Sequence, residues 1–340
     1  MKQEYKDILN LDIDQIEPIP LTNEQKINLK KKVLEKKKGY KPNRVGRMAA
    51  AVFLGGGVLT ASFMTIPAIA NQIPFVQNIL SYFADDALPS NYTDYAEIVN
   101  QVQTSNGIDI MIENAVYDGT NVFLTYAIKT EIELGEMPRA DGFLNVEPSS
   151  GNGGTGSIEK INETTYVGVE KITPHFDGKS PEKIMVEWEP LAFTNSQENK
   201  YFQGDWKFEF TLSQLPTNTQ LLEETITHDG LSITMNSLET TEMTAALQYD
   251  YYIDEALLEK WPFITVELVQ AKDNLGNVYE LNSNGGVSHH NGTINEGGST
   301  LYSLHPEAKS LTLTPKVYYA NSSGEVVKEE NVKPITIDLD

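Results

Sequence analysis

The sequence predicts a mainly β protein with two immunoglobulin-like antiparallel β-sandwich domains outside a membrane. One transmembrane helix and a short helical cytoplasmic segment precede them. Three observations predict this class. Residues 48–84 carry no charged side chain, and this uncharged stretch separates a basic segment from a strongly acidic one. Beyond residue 89, short β-prone runs alternate with Gly, Asn and Asp turns, without the alternating helices of an α/β protein.

The charge balance reverses across the uncharged stretch. Residues 1–47 contain 12 Lys/Arg and 7 Asp/Glu. Residues 85–340 contain 14 Lys/Arg and 41 Asp/Glu, which is a net charge of −27. Basic residues beside an apolar segment favour a cytoplasmic location for that flank, and Lys41, Arg44 and Arg47 supply the charge nearest the span. We therefore predict a single-pass protein of the cell membrane with its C-terminal domains outside. The acidic part excludes direct nucleic-acid binding.

Residues 48–70 form the predicted transmembrane helix. About 23 residues at 1.5 Å rise each suffice to cross a hydrocarbon core of ~30 Å. Residues 68–70 (AIA) also have the shape of a signal-peptidase site, so cleavage after Ala70 is an alternative. The long, structured N-terminal flank favours retention. The span itself implies contact with membrane lipid.

Residues 71–88 are predicted to form a juxtamembrane helix, because apolar residues recur there at helical spacing. This helix would either pack on the outer domains or lie on the outer leaflet.

Residues 1–47 contain two short amphipathic helical patterns separated by prolines. The segment has too few apolar side chains to form its own core, so the patterns are typical of a segment that folds on a partner. The predicted apolar anchors are Ile8, Leu9, Ile16, Ile27 and Leu34. The alternative is a solvated tail whose lysines only fix the membrane orientation.

Turn signals separate ten predicted strands in the acidic part. They cover residues 107–112, 122–128, 166–169, 183–188, 206–212, 231–235, 245–252, 263–270, 311–319 and 335–339. An internal repeat relates the hairpin that begins at Asn106-Gly107 to the one that begins at Asp229-Gly230. We therefore predict two related domains, residues 89–217 and 218–340.

Candidate catalytic and metal-binding residues are few. The five histidines have no metal-ligand spacing with carboxylates, and His289-His290 falls in a Gly/Ser/Asn-rich stretch, residues 282–300, that we interpret as a loop. The chain has no cysteine, which excludes thiol nucleophiles and cysteine zinc sites. The three tryptophans fall in or beside strand patterns and are interpreted as core residues. We predict no enzymatic activity, no metal and no cofactor.

Several segments together resemble Gram-positive membrane proteins that carry domain of unknown function 4179. They are residues 8–14 (ILNLDID), the lysine-rich helix at 23–38, residues 67–70 (PAIA), 73–75 (IPF), 106–108 (NGI) and 117–120 (YDGT). Residues 204–208 (GDWKF) and the C-terminal third are similar to the β domain that often follows it. The resemblance implies an anti-sigma-factor-like architecture in which residues 1–47 bind a sigma factor.

Two function hypotheses follow. In the first, the chain is a membrane signalling protein whose outer sandwiches sense an unknown extracellular ligand, while residues 1–47 bind a sigma factor. In the second, it is a cell-surface binding or adhesion module, and the uncleaved N-terminal helix is only an anchor.

Overall fold

The computed structural model describes residue 83, residues 88–195 and residues 197–339. All of them belong to one compact unit. The predicted cytoplasmic segment, the predicted span and nearly all of the juxtamembrane helix lie outside the described residues. Within the described ranges, no helix combines the length and the apolar character that crossing a membrane requires.

The expectation of a mainly β fold is confirmed. Short helices occur at α1 (Tyr92–Tyr95), α2 (Glu255–Lys260) and a 3₁₀ turn (His290–Gly292). The strands up to residue 213 are β1 Glu97–Ser105, β2 Ile108–Tyr117, β3 Val122–Thr130, β4 Arg139–Glu147, β5 Gly151–Asn162, β6 Thr165–His175, β7 Lys183–Asn195, β8 Lys200–Gln203 and β9 Phe208–Ser213. The later strands are β10 Asn218–Leu221, β11 Thr225–His228, β12 Leu231–Thr240, β13 Thr244–Ile253, β14 Phe263–Asp273, β15 Val278–Glu280, β16 Asn282–His289, β17 Ile294–Tyr302, β18 Ser310–Ala320, β19 Val326–Asn331 and β20 Ile335–Asp338.

Strands β1 to β9 form two antiparallel sheets that we call the first sandwich. Sheet I has the order β1-β2-β3-β6-β5, and sheet II pairs β4, β8 and β9 with β7. Inward side chains of both sheets make one apolar core that includes Tyr126, Trp188 and Trp206. Both tryptophans are buried, as the strand patterns predict.

Strands β10 to β20 form the second sandwich. Sheet III has the order β10-β12-β13-β17-β16 with β11 also on β12, and sheet IV has the order β15-β14-β18-β19 with β20 also on β18. A second apolar core joins these sheets through residues such as Leu247, Leu311 and Val317, and Trp261 packs partly buried against it. The exact domain bounds at residues 88/89 and 217/218 stay predictions.

The two sandwiches repeat one topology. Sheet I and sheet III have the same sequence of strand pairings. In sheet I these are β1-β2, β2-β3, β3-β6 and β6-β5, and in sheet III they are β11-β12, β12-β13, β13-β17 and β17-β16, in the same order. The pairs of β7 with β4, β8 and β9 correspond to those of β18 with β14, β19 and β20. Each repeat has a two-residue turn at the equivalent place, Asn106-Gly107 between β1 and β2 and Asp229-Gly230 between β11 and β12. Both residues of each turn have positive φ, which is the geometry of a type I′ turn. The predicted repeat is therefore present in the strand order.

One interpretation of the sequence was wrong. Residues 282–300 are not a loop, because Asn282–His289 and Ile294–Tyr302 form the hairpin β16-β17. Glycine and asparagine obscured the strand pattern, yet β17 is largely buried and pairs along its whole length with β13. Pairing with a central strand outweighs the low β-propensity of these residues.

Candidate functional site

A cleft of about 600 Å³ lies between the two sandwiches. One wall is the start of β5 with the end of β6, and the other is formed by β12, β13, β16 and β17. The volume is in the range of small-ligand sites. Its lining consists mainly of glycine and small polar side chains, and it includes two aromatic rings, those of His175 and Phe176. The polar residues are Thr120, Ser150, Asn152, Thr173, Ser180, Gln248 and Asn284. We call this space the junction cleft.

Two sheet edges border the junction cleft, one from each repeat. In the described part of the chain, β5 pairs only with β6 and β16 only with β17, so each is an edge strand. Residues 151–156 of β5 are exposed. A Cβ atom added at Gly151 or Gly153 would meet no atom within 4 Å, so the edge backbone stands open to an approaching group.

A β-bulge in β16 directs one side chain across the junction. The register with β17 shifts between Ser283 and Gly286, and Gly285 adopts φ +79°, a left-handed conformation that glycine accommodates without strain. Asn284 then accepts a hydrogen bond from Lys171 Nζ at 3.0 Å and donates one to Thr300 Oγ1 at 2.8 Å. The bulge thus ties sheet III to strand β6 of sheet I.

The turn between β2 and β3 forms the centre of the junction. Asp118 Oδ1 accepts the backbone N–H groups of Thr120 and Asn121 at 2.8 and 2.6 Å. Its Oδ2 accepts the hydroxyl of Thr244, in the second sandwich, at 2.6 Å. Burial raises the pKa of Asp118, whereas these hydrogen bonds and the charge of Lys171 lower it.

Asn121 extends the network. Its Nδ2 donates to Thr300 Oγ1 at 3.0 Å, and its Oδ1 accepts the hydroxyl of Thr173 at 2.7 Å. Burial lowers the pKa of Lys171 to about 8, although the charge of Asp118 opposes the shift. Polar groups buried at an interface favour one arrangement when their hydrogen bonds are made, so this network fixes how the sandwiches meet.

The charged groups lining the junction cleft are acidic. Glu239 of β12 and Glu296 of β17 both line it, and neither lysine nor arginine is among the lining residues. Burial raises the pKa of Glu239, while the hydroxyl of Thr120 and the charge of Lys179 lower it. Glu296 contacts His289 Nε2 at 3.1 Å. The cleft therefore favours neutral or cationic ligands over anions.

An apolar cluster forms another part of the junction. Leu88 and Tyr92, which lie just before β1, pack with Phe123 of sheet I and Met243 of the second sandwich, and Phe83 packs partly buried against them. The Tyr92 hydroxyl donates to the carbonyl of Asn114 at 2.9 Å.

Polar contacts tie the same segment to the second sandwich. Asn91 Nδ2 donates to the carbonyl of Glu242 at 2.7 Å, and the hydroxyls of Ser90 and Ser303 are 3.0 Å apart. The segment that follows the uncharged stretch thus contacts both sandwiches.

The site residues predicted from the sequence fall outside this region. All of the predicted apolar anchors and basic membrane-flanking residues lie outside the described residues. The anchors are Ile8, Leu9, Ile16, Ile27 and Leu34, and the basic residues are Lys41, Arg44 and Arg47. Among the residues that the structure describes, no three His, Cys, Asp or Glu side chains form a metal-binding group. Of the histidines, His175 lines the junction cleft.

Comparison with known proteins gives two family matches. Residues 40–130 match the family "Domain of unknown function (DUF4179)", and residues 217–339 match "Family of unknown function (DUF5643)". The chain has the DUF4179–DUF5643 arrangement. The DUF5643 match spans all strands of the second sandwich, whereas the DUF4179 match ends with β3. No curated protein matches.

A solved structure shares the fold of this DUF4179–DUF5643 protein. It is described as "The crystal structure of the conserved domain protein from Bacillus anthracis". The TM-score is 0.69 at 24% identity, and the match covers 77% of this chain and 97% of the other. The two proteins therefore share a β-rich fold.

Proposed function

We propose that this DUF4179–DUF5643 protein is a single-pass membrane signalling protein. Its β unit, with sandwiches that we expect to be immunoglobulin-like, binds a ligand outside the cell, and residues 1–47 bind a sigma factor inside it. One observation supports this assignment best. The segment that leaves the predicted span, represented by Phe83, Leu88 and Tyr92, packs at the junction of the two sandwiches. A ligand that alters the junction would alter this segment as well.

The coupling has a physical basis. Packed interfaces switch between discrete arrangements rather than deforming continuously, so a change in the junction cleft can be transmitted to side chains packed elsewhere on the junction. Asp118, Asn121 and Lys171 form the polar contacts of that junction, and Met243 and Phe123 form its apolar ones. The proposed output is the position of the segment that enters the membrane.

The test of the signalling assignment is capture of a partner by the full chain. A tagged chain is purified in detergent from its native cell, and co-purified proteins are identified by mass spectrometry. The double variant Ile8→Glu/Leu9→Glu is the control, because charges at these apolar anchors should abolish docking. A sigma factor retained by the natural chain and lost from the variant would support the proposal, and recovery of none would contradict it.

Membrane orientation has a separate test, because the chain contains no cysteine. Asn10→Cys should resist an impermeant thiol reagent on intact cells, whereas Asn218→Cys, at an exposed position of β10, should be labelled. Labelling at position 10 in intact cells would overturn the orientation.

The second candidate is a surface-anchored binding or adhesion module. The open junction cleft favours it, since binding alone requires no cytoplasmic partner. It predicts that the Ile8→Glu/Leu9→Glu variant loses nothing in the capture experiment while ligand binding outside persists.

A further inference from the structure

We propose that the junction cleft binds an extended, lysine-bearing peptide segment, which adds as a strand to the open edge of β5. This inference rests on the proposed role of the β unit as the ligand-binding part. It deepens that role by naming the class of ligand and the strand that receives it.

The edge of β5 is unprotected. Edge strands carry unpaired N–H and C=O groups, and proteins usually protect them with lysine, proline or a covering loop. Residues 151–156 (GNGGTG) of β5 are exposed and contain none of these protective residues. The six residues offer an edge of ~20 Å for backbone pairing, enough for a short extended segment.

The glycines of β5 lie on both faces of the strand. Gly154 and Gly156 face the core of the first sandwich, because Cβ atoms there would approach Ile172 and Glu170. Gly151 and Gly153 alternate with Asn152, so they lie on the opposite face, toward the junction cleft. Their missing side chains leave that face clear, and a chain lying along the edge can approach the backbone closely.

The charge of the cleft lining favours a cationic ligand. Glu239 and Glu296 line the cleft on the opposite wall, and the lining contains no lysine or arginine. Lys179, whose charge lowers the pKa of Glu239, and His289, which contacts Glu296, lie outside the lining. The residues from 85 onward carry a net charge of −27, which favours approach of cations. A lysine side chain projecting from a strand on β5 would reach toward these carboxylates, and an acidic or phosphorylated segment would be repelled.

The experiment measures peptide binding by calorimetry on the full chain in detergent. The probe is acetyl-Thr-Lys-Thr-Lys-Thr-Lys-amide, whose capped ends leave only the side-chain charges. Comparison probes are the Thr-Glu analogue, the same lysine peptide with the backbone nitrogens of all six residues methylated, and N-acetylated chitotriose as a neutral polyol. We expect the lysine peptide to bind and the other three to bind at least about tenfold more weakly, since each lacks either the charge or the donors for strand pairing.

Three variants locate the site. Gly153→Trp should weaken binding by about tenfold or more, because the ring fills the cleft at a position where an added Cβ meets no neighbour. Gly153→Val is the smaller version, should Gly153→Trp fail to fold. Glu239→Gln should weaken binding about three- to tenfold by removing a charge at nearly constant shape. Glu209→Gln, an exposed position of β9 outside the cleft lining, should bind like the natural chain.

Several results would overturn the inference. Equal binding of the lysine and glutamate peptides would remove the charge argument, and undiminished binding of the methylated peptide would remove strand addition. Chitotriose binding that is lost in Gly153→Trp would assign the cleft to a polyol. Sigma-factor capture without peptide binding would reject this inference alone, whereas peptide binding without capture would reject the signalling proposal and leave the cleft assignment standing.

Discussion

Glu170 is a part-buried glutamate in a strand of mostly apolar residues. It lies on β6 between Val169 and Lys171, and its carboxylate accepts the Tyr126 hydroxyl at 3.0 Å on the core face of sheet I. Burial raises the pKa of Glu170 to about 7. Glu170 therefore keeps its proton to a higher pH than an ordinary glutamate does.

Replacing Glu170 should change how stability depends on pH. Because the folded pKa of about 7 lies above the ordinary value of 4.5, the contribution of Glu170 to the free energy of unfolding should be fully present below pH 4.5 and be lost as pH rises through 7. Glu170→Gln carries no charge to bury and keeps the acceptor for Tyr126. At pH 8 we expect it to be more stable than the natural chain by roughly 2–3 kcal/mol. Urea unfolding at pH 4.5 and pH 8 measures both values.

The matched control is Glu209→Gln, an exposed residue of β9, which should leave the pH profile unchanged. Parallel profiles for Glu170→Gln and the natural chain would contradict the prediction.

At the residue scale, sequence reasoning identified core residues better than site residues. Trp188 and Trp206 were recognisable because apolar aromatics in strand patterns are usually buried. Asp118 was recognisable as a turn residue, since Asp-Gly is a hairpin signal. The hydrogen bond between Asp118 and Thr244 could not be recognised from the sequence. The two residues are far apart in sequence and meet only because of how the two sandwiches are arranged.

At the scale of secondary structure, apolar strands were predictable from the sequence and glycine-rich edge strands were not. The ten predicted strands all correspond to observed strands, because each has an apolar or alternating pattern. The other ten observed strands were not predicted. Among them are β5 and β16, whose segments GNGGTG and NSNGG resemble loops and form strands by pairing with β6 and β17. The predicted site residues lie outside the described chain, so the junction cleft is a feature that the sequence did not predict.

The bulge of β16 should be sensitive to any side chain at Gly285. Its φ of +79° is unfavourable for a β-branched residue, so Gly285→Val should lower the free energy of unfolding by about 1–2 kcal/mol. It should also displace Asn284 from Lys171. Thermal unfolding measures the stability, and backbone amide shifts of β6 report the displacement.

Gly151→Val is the matched control for the bulge. An added Cβ at Gly151 meets nothing within 4 Å, and its φ lies outside the left-handed region. We expect its stability to stay within ~0.5 kcal/mol of the natural chain. Equal effects of the two valines would contradict a role for the bulge geometry.

At the scale of the whole molecule, the junction couples two cores that are otherwise separate. The first core draws on residues 108–212 and the second on residues 222–337. The polar network around Asp118 and the apolar cluster around Met243 join them. Cooperative unfolding of the natural chain therefore depends on these contacts.

Met243→Asp should uncouple the sandwiches. Met243 is fully buried in the junction, and an unpaired carboxylate there costs several kcal/mol, so opening the junction becomes favourable. Scanning calorimetry should show the single transition of the natural chain separate into two. Met137→Asp, the same change at a position that is 66% exposed, should leave the single transition intact. A single transition in both variants would show that the junction does not couple the cores.

Equivalent elements of the two repeats meet at the junction. The turn that Asp118 and Asn121 close by a backbone hydrogen bond has a counterpart closed by Thr241 and Thr244 in the second repeat. Each turn contributes a side chain to the contacts between the sandwiches, and equivalent edges, β5 and β16, border one cleft. A symmetric homodimer pairs like surfaces in this way. The junction is therefore organised like the contact of a homodimer, with both partners supplied by repeats of one chain.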